Sequence, residues 1–511
     1  MKQANLYSAL RAAFPADLDT TAIETADSHP PLNYSWRDLE RGSAMMANLL
    51  DSLDLPAGSR VAVQTDKSVE ALMLYLAVLR AGHVFLPLNT AYQAGEIEYF
   101  VSNAEPAVVV CSGANFSWVS RIAFKTGTKQ VYTLNGDRSG SLLDRAAFHS
   151  DEHTVALSGA GDLAAILYTS GTTGRSKGAM LTHGNLLSNA QVLKAFWAWQ
   201  KGDVLIHALP IFHVHGLFVA SHGALLNGSK MIWFSRFDPK AAIARFDEAT
   251  VFMGVPTLYV RMLAEAALTP AACKHMRLFV SGSAPLLIET FNDWKERSGH
   301  TILERYGMSE TVMLTSNPYR PEAARRGGTV GLALPGVGVR VRDEKGHPLA
   351  TGEIGGIEVK GPNVFKGYWR MPEKTADEFT TDLWFKTGDV GKIDSSGVVT
   401  IVGRSKDLII SGGYNVYPAE VEGYINDMPF VAESAVVGVP HPDFGEAVVA
   451  VVVGKPGNTP AGAAILAALK AQIANFKVPK QVFVVAELPR NAMGKVQKNL
   501  LREQHQALFA K

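Results

Sequence analysis

Residues 60–88 read RVAVQTDKSVEALMLYLAVLRAGHVFLPL. The apolar run at 60–64 predicts a strand, the apolar spacing over 69–81 predicts a helix, and a second apolar run follows at 84–88. Strand, helix, strand at this spacing is a βαβ unit, which sets the two strands parallel in a sheet covered on both faces. The rhythm continues at 107–111 and returns at 164–168, 204–208, 251–255 and 277–280, so the expected fold class is α/β with parallel subdomains. Between about 336 and 402 it gives way to short alternating strands, 339–342 and 357–360, separated by glycine-rich turns, which predicts a small antiparallel β subdomain. After 403 come a glycine-rich turn, a helix opened by Pro418, strands at 431–439 and 447–453, a helix at 461–473 and a strand at 482–486. This reads as a small α+β domain. The chain thus divides into an N-terminal domain, 1–403, a hinge at 404–406 and a mobile C-terminal domain, 407–511.

The 511 residues correspond to roughly three units of about 150 residues each. Lys and Arg number 49 against 48 Asp and Glu, a net +1, so there is no polybasic excess to hold a nucleic-acid backbone or an anionic membrane. Any polyanionic ligand must be held locally. Hydrophobic residues at 47% and charged residues at 19% exclude a disordered or coiled-coil chain. The two cysteines, Cys111 and Cys273, are too few for a disulfide framework, and a reducing, cytoplasmic compartment is expected. Residues 1–5, MKQAN, lack the pattern of a secretory signal, and apolar runs such as 447–453 fall short of the ~18 residues of a membrane helix, so no membrane insertion is expected.

Residues 168–178, YTSGTTGRSKG, follow an apolar strand. Thr169, Ser170, Thr172 and Thr173 offer hydroxyl donors, Gly171 and Gly174 an approachable backbone, and Lys177 a cation, a composition suited to phosphate oxygens. No Ser or Thr follows Lys177, so the loop differs from the GxxxxGK[ST] pattern. A solvated turn would have the same composition; the motifs farther along the chain decide against it.

With those motifs in order, the chain resembles the adenylate-forming acyl-CoA synthetases, a family that includes luciferases and peptide-synthetase adenylation domains. They are SGSAP at 281–285, YGMSE at 306–310, KTGD at 386–389, GRSKD at 403–407, SGGYNV at 411–416 and PRNAMGK at 489–495. The resemblance implies an ATP-dependent ligase that joins a small carboxylic acid to CoA through an acyl-adenylate, releasing AMP and pyrophosphate. By the same resemblance the phosphate loop 169–174 and Lys177 bind ATP, and Ser283, Ala284, Pro285, Glu304, Arg305, Tyr306, Gly307, Met308 and Ser309 form the adenine and phosphate side. Glu310 holds Mg²⁺, a hard oxygen ligand for a hard cation. Asp389 accepts the ribose hydroxyls and Arg404 lies near the α-phosphate. Lys495 bridges the attacking carboxylate and the α-phosphate, so Lys495, Glu310 and Lys177 are the catalytic set. Lys406 is the hinge about which the small domain turns, presenting Gly412 and Gly413 to CoA. Two positions depart from the common pattern: Ser176 replaces a frequent Pro, and Ser309 a frequent Thr.

The acid is read from fewer residues. Residues 209–216, LPIFHVHG, lack the Asp that amino-acid-activating relatives carry, and His213 is expected between the nucleotide and acyl sites. Arg236 follows the apolar strand 231–234, in a part of the fold that approaches the acyl pocket in related enzymes; the resemblance implies either that it pairs with a second carboxylate, with Ser281 adding a hydrogen bond, or that it has a structural or nucleotide-side role. With the bulky Met308, these residues and the overall resemblance imply malonate, with methylmalonate as a second substrate. A ligase for a medium-chain or aromatic monocarboxylate is the alternative within the class, a luciferase-like oxygenase is a third option, and an inactive binding protein of the same fold is the alternative outside it. Acylation of Lys495 by a lysine acyltransferase would remove the charge the first step needs and switch the enzyme off.

Overall fold

A computed structural model describes residues 3–28, 30–169, 176–411, 414–491 and 494–509. The βαβ unit forms as the sequence reads. Strands Arg60–Gln64 and Val84–Pro87 pair in parallel, with Arg60 opposite Val84, and helix Val69–Arg80 crosses between them. Ser68 caps that helix by accepting from the Ala71 amide, and every residue from Val69 to Arg80 is buried. An apolar surface on all sides is stable only because the helix also packs under helix Trp36–Asp51.

This unit sits in a six-stranded sheet ordered Gln130–Thr133, Val108–Cys111, Arg60–Gln64, Val84–Pro87, Leu163–Thr169, Lys177–Thr182. The last two strands pair antiparallel, with Thr169 opposite Lys177, and so hold the two ends of the phosphate-loop motif side by side. The second sheet has nine strands. Its parallel centre runs Leu303–Tyr306, Leu278–Ser281, Val251–Gly254, Val204–His207, Lys230–Trp233, Thr21–Thr25. The carboxyl ends of these strands share one edge, the place where open α/β sheets bind ligands.

An antiparallel sheet follows, Gly338–Arg342, Gly355–Lys360, Phe385–Ile393, Val399–Arg404, as the alternating pattern at 336–402 predicts. A 3₁₀ turn, Ser405–Asp407, then leads into the C-terminal sheet. There a long hairpin, Val431–His441 with Gly445–Gly454, is flanked by Ile409–Ser411 and by the parallel strand Gln481–Val485. Its helices are Pro418–Asn426, Gly462–Lys470 and Lys498–His505. The helix expected over 461–473 stops at Lys470. Among the elements without a counterpart in the sequence reading is a π-helix at His215–Ser221.

Candidate active site

The cleft is built on two neighbouring strands. Ser281 ends strand Leu278–Ser281 and lies in register with Glu304 of strand Leu303–Tyr306. Just beyond that strand end, Ser283 is held at φ 71°, a left-handed conformation uncommon outside glycine. Its Oγ lies 3.3 Å from His215 Nδ1. Ala284 is half-buried with it, and Pro285 is exposed.

Tyr306, Asp389 and Arg404 form one joined corner of the cleft. Antiparallel pairing sets Asp389 opposite Arg404; Arg404 Nε meets Asp389 Oδ1 at 2.8 Å, and the Tyr306 hydroxyl donates to Oδ2. Glu304 accepts from the Gly328 amide at 3.1 Å, and burial pushes its carboxyl up to about 8. Gly307, Met308 and Ser309, all half-buried, continue into the turn that carries Glu310.

Lys177 opens strand Lys177–Thr182, with the Thr169 hydroxyl 3.4 Å from its carbonyl. Lys177 Nζ lies 3.3 Å from Glu378 and 4.3 Å from the centre of the Tyr368 ring, whose hydroxyl donates to Glu310 Oε1 at 3.0 Å. Glu310 is buried, which raises its pKa, while Tyr368, Lys177 and Arg404 favour its charged form. Among the described residues no group of three metal-ligating side chains occurs. A lone carboxylate suits a Mg²⁺ whose remaining ligands are phosphate oxygens and water, so Glu310 fits that ion. Ser170, Gly171, Thr172, Thr173 and Gly174, and Gly412 and Gly413 on the CoA side, lie outside the described residues.

Lys495 reaches this cleft from the small domain. Its turn is fixed by the Asn491 side chain, which accepts from the Lys495 amide at 3.0 Å. It is also fixed by packing, since a side-chain carbon at Gly494 would come within 3.0 Å of Thr257 in the large domain. By surface area Lys495 is exposed to solvent, although protein surrounds its amine on most sides. Burial first, and then the charge of Arg404, push it down to about 8, against the pull of Asp389. Lys406, exposed in the 3₁₀ turn, is among its neighbours, and a second tie between the domains is Lys455 with Glu289 at 2.5 Å.

The sequence reading places Arg305 on the nucleotide side and gives it no part in binding the acid. Arg305 is 3% exposed, with Nε and Nη2 lacking a partner among the described residues. A side-chain carbon at Gly282 would stand 2.4 Å from its guanidinium, so the glycine is what admits it. His215, close enough for the Arg305 charge to act on it, has a buried and unpartnered Nε2; Ser281 Oγ is buried and unpartnered too, but its register with Glu304 sets it on the opposite face of the sheet from Arg305. Desolvation pushes Arg305 down to about 9, and its charge helps hold His213 down at about 4. Lys495 acts on the same histidine, so Arg305, His213 and Lys495 face one space. Arg236 is placed otherwise. It is exposed, with its amide donating to Asp27, and it follows strand Lys230–Trp233, three strands across the sheet from Leu278–Ser281.

Comparisons with known proteins agree with this construction. The AMP-binding enzyme family matches residues 13–369, and the AMP-binding enzyme C-terminal domain matches 420–495. A malonate–CoA ligase of Arabidopsis thaliana is 33% identical over 87% of this chain and 78% of its own length. A feruloyl-CoA synthase of an Amycolatopsis species is 34% identical over 94% and 95%. A crystal structure of ATP-bound MatB from Rhodopseudomonas palustris superposes with a TM-score of 0.96 at 54% identity, covering 99% of this chain and 100% of that one. The apo form of MatB gives 0.84, so the domains here stand nearer to the ATP-bound arrangement.

Proposed function

The chain belongs to the AMP-binding enzyme family, and we propose that within it the protein is an AMP-forming acid–thiol ligase that converts malonate, ATP and CoA to malonyl-CoA, AMP and pyrophosphate. The observation that carries the choice of acid is the buried, unpartnered guanidinium of Arg305. An unpaired charge out of water is costly, and a second carboxylate on the substrate relieves that cost with two charge-assisted hydrogen bonds. His215 Nε2 supplies a further donor beside the same anion. This assigns to Arg305 the role expected of Arg236. Methylmalonate adds only a methyl group to the same two carboxylates and is the second substrate of this reading. The feruloyl-CoA synthase relative keeps a monocarboxylate as the alternative.

The steps follow from the charges. Tyr306, Asp389 and Arg404 hold the ribose and α-phosphate side, while Lys177 exchanges Glu378 for phosphate oxygens. Mg²⁺, held by Glu310, would neutralise the pyrophosphate leaving group. With one malonate carboxylate on Arg305, the other meets the α-phosphate beside Lys495. There a pre-positioned cation offsets the repulsion of two anions, an effect commonly worth about 3 kcal/mol. The same lysine then blocks the thiol, so the small domain turns about Lys406 and presents Gly412 and Gly413 to CoA. An amine held at about 8 is part-neutral near physiological pH, which also makes Lys495 the proposed target of a lysine acyltransferase. Both cysteines are buried and free, which supports a reducing, cytoplasmic setting, and among the described residues no helix is long and apolar enough to cross a membrane.

ATP–pyrophosphate exchange with malonate, methylmalonate, acetate, octanoate and ferulate tests the reading; malonate is expected to be fastest, and preference for a monocarboxylate refutes it. Arg305→Gln should raise the malonate KM about a hundredfold, the loss of a buried charge-assisted pair, with the ATP KM within threefold. An equal effect from Arg236→Gln would return the clamp to Arg236.

A further inference from the structure

Lys67 lies in the loop between strand Arg60–Gln64 and helix Val69–Arg80, in the first subdomain, yet its amine is spent on the second. Nζ meets His207 Nδ1 at 2.9 Å, the His207 carbonyl at 2.8 Å and the Phe234 carbonyl at 2.8 Å, and stands 4.3 Å from the centre of the Trp233 ring. Burial pushes its pKa well below the ordinary lysine range, and as an ammonium it has three protons, all three of which these acceptors use. No carboxylate pairs with it among the described residues; Asp27 acts only from a distance. So solvated a group is not taken out of water without return, and the return is what it does to His207.

Because Lys67 donates, His207 Nδ1 must carry a lone pair and Nε2 the proton. Nε2–H then lies 3.0 Å from both the Gly216 carbonyl and Ser221 Oγ, and that hydroxyl donates to the same carbonyl at 2.9 Å. The fixed proton therefore pins the first turn of the π-helix His215–Ser221, the turn that aims His215 at Ser283 and at the space below Arg305. The groups facing His207 are Lys67 from its loop, His215 from the π-helix and the Trp233 ring, stacked at 4.6 Å. None is anionic.

We infer that Lys67 is a positioning residue for the acyl pocket: by saturating His207 Nδ1 it locks one tautomer, and that tautomer holds the π-helix turn against which the acid binds. Burial, helped by the Lys67 charge, keeps His207 neutral, well below the usual histidine range. The inference rests on the acyl pocket lying at Arg305 and His215, not on malonate being its occupant.

The test uses the full-length enzyme and whichever acid of the panel it adenylates fastest, so that a failed malonate assignment changes the substrate and not the comparison. Lys67→Met should raise the KM of that acid about tenfold while the ATP KM stays within twofold, the scale of one lost buried hydrogen-bond set. It should also move the acid limb of kcat/KM for the acid to higher pH, because His207 regains a proton it is now denied. Lys67→Met/His207→Gln should remove that movement, since an amide can accept and donate in the same places without titrating. Should Lys67→Met not accumulate as folded protein, the histidine decides: His207→Gln is expected within threefold of wild type and His207→Ala about tenfold worse in the acid KM. Equal losses for acid and ATP, an acid limb that stays in place, or equal KM values for the Gln and Ala variants would overturn the inference.

Discussion

Lys495 and Arg305 are both cations in one cleft, and the difference between them shows what a residue can and cannot tell before it is placed. Lys495 was legible from its motif, because PRNAMGK resembles the same stretch in related enzymes. Arg305 sits in an equally recognisable motif, but the face of the sheet it takes follows from its register beside Gly282, not from its neighbours in sequence. Sequence reasoning turned instead to Arg236, because that part of the fold approaches the acyl pocket in related enzymes. Placement also gives Lys495 a measurable signature. With its amine held at about 8, the cation the first step needs is lost above that pH, well below the ordinary lysine value of about 10.4. Since kcat/KM reports the free enzyme, adenylation should show a basic limb near 8. Lys495→Arg, always charged, should act more slowly but without that limb. A limb at the same pH in the Arg variant would assign it to another group.

At the scale of elements, the strands were read where periodicity is strong and missed where it is silent. Continuous apolar runs such as 84–88 mark parallel strands covered on both faces, and the alternating 357–360 marks the antiparallel sheet. The π-helix His215–Ser221 leaves no such mark, since an i→i+5 turn has no repeat long enough to read and its run GLFVAS suits a buried strand as well. What makes it possible is close approach: a side-chain carbon at Gly216 would stand 2.1 Å from the Pro210 carbonyl oxygen. Backbone cannot yield there as the end of a flexible side chain would. Gly216→Ala should therefore lower stability by about 3 kcal/mol, as overpacking does, and raise the acid KM in any protein that still folds. Urea unfolding with acid kinetics checks both; an unchanged urea midpoint would mean that the turn relaxes freely.

For the whole molecule, the near-zero net charge proves to be a sum of separately placed groups, and the histidines give that arrangement a pH dependence. His183, His207, His213, His215 and His222 are held below the usual value by burial first, His183 and His213 to about 4 and His222 to about 3. The unfolded chain binds protons on these side chains from about pH 6.5 downward, while the folded chain does not until far lower. Unfolding then takes up protons, so stability is full above about 6.5 and is lost as pH falls towards 4, at up to about 1.4 kcal/mol per pH unit for each proton taken up. Glu304, raised to about 8, opposes this, because it carries a proton in the folded state that the unfolded chain releases above about 4.5; Glu310, also raised by burial, acts in the same sense. His83 and His153, lowered by burial as well, and Asp293, raised by it, still leave net uptake, and all of these groups lie in the large domain. So do all eight tryptophans, Trp36 being the first and Trp384 the last, which makes tryptophan fluorescence a probe of that domain alone. The urea midpoint followed by fluorescence should fall steadily between pH 6.5 and 5. A flat midpoint across that range would mean that water reaches these histidines in the folded state and that the packed interior around the acyl pocket is looser than its burial implies.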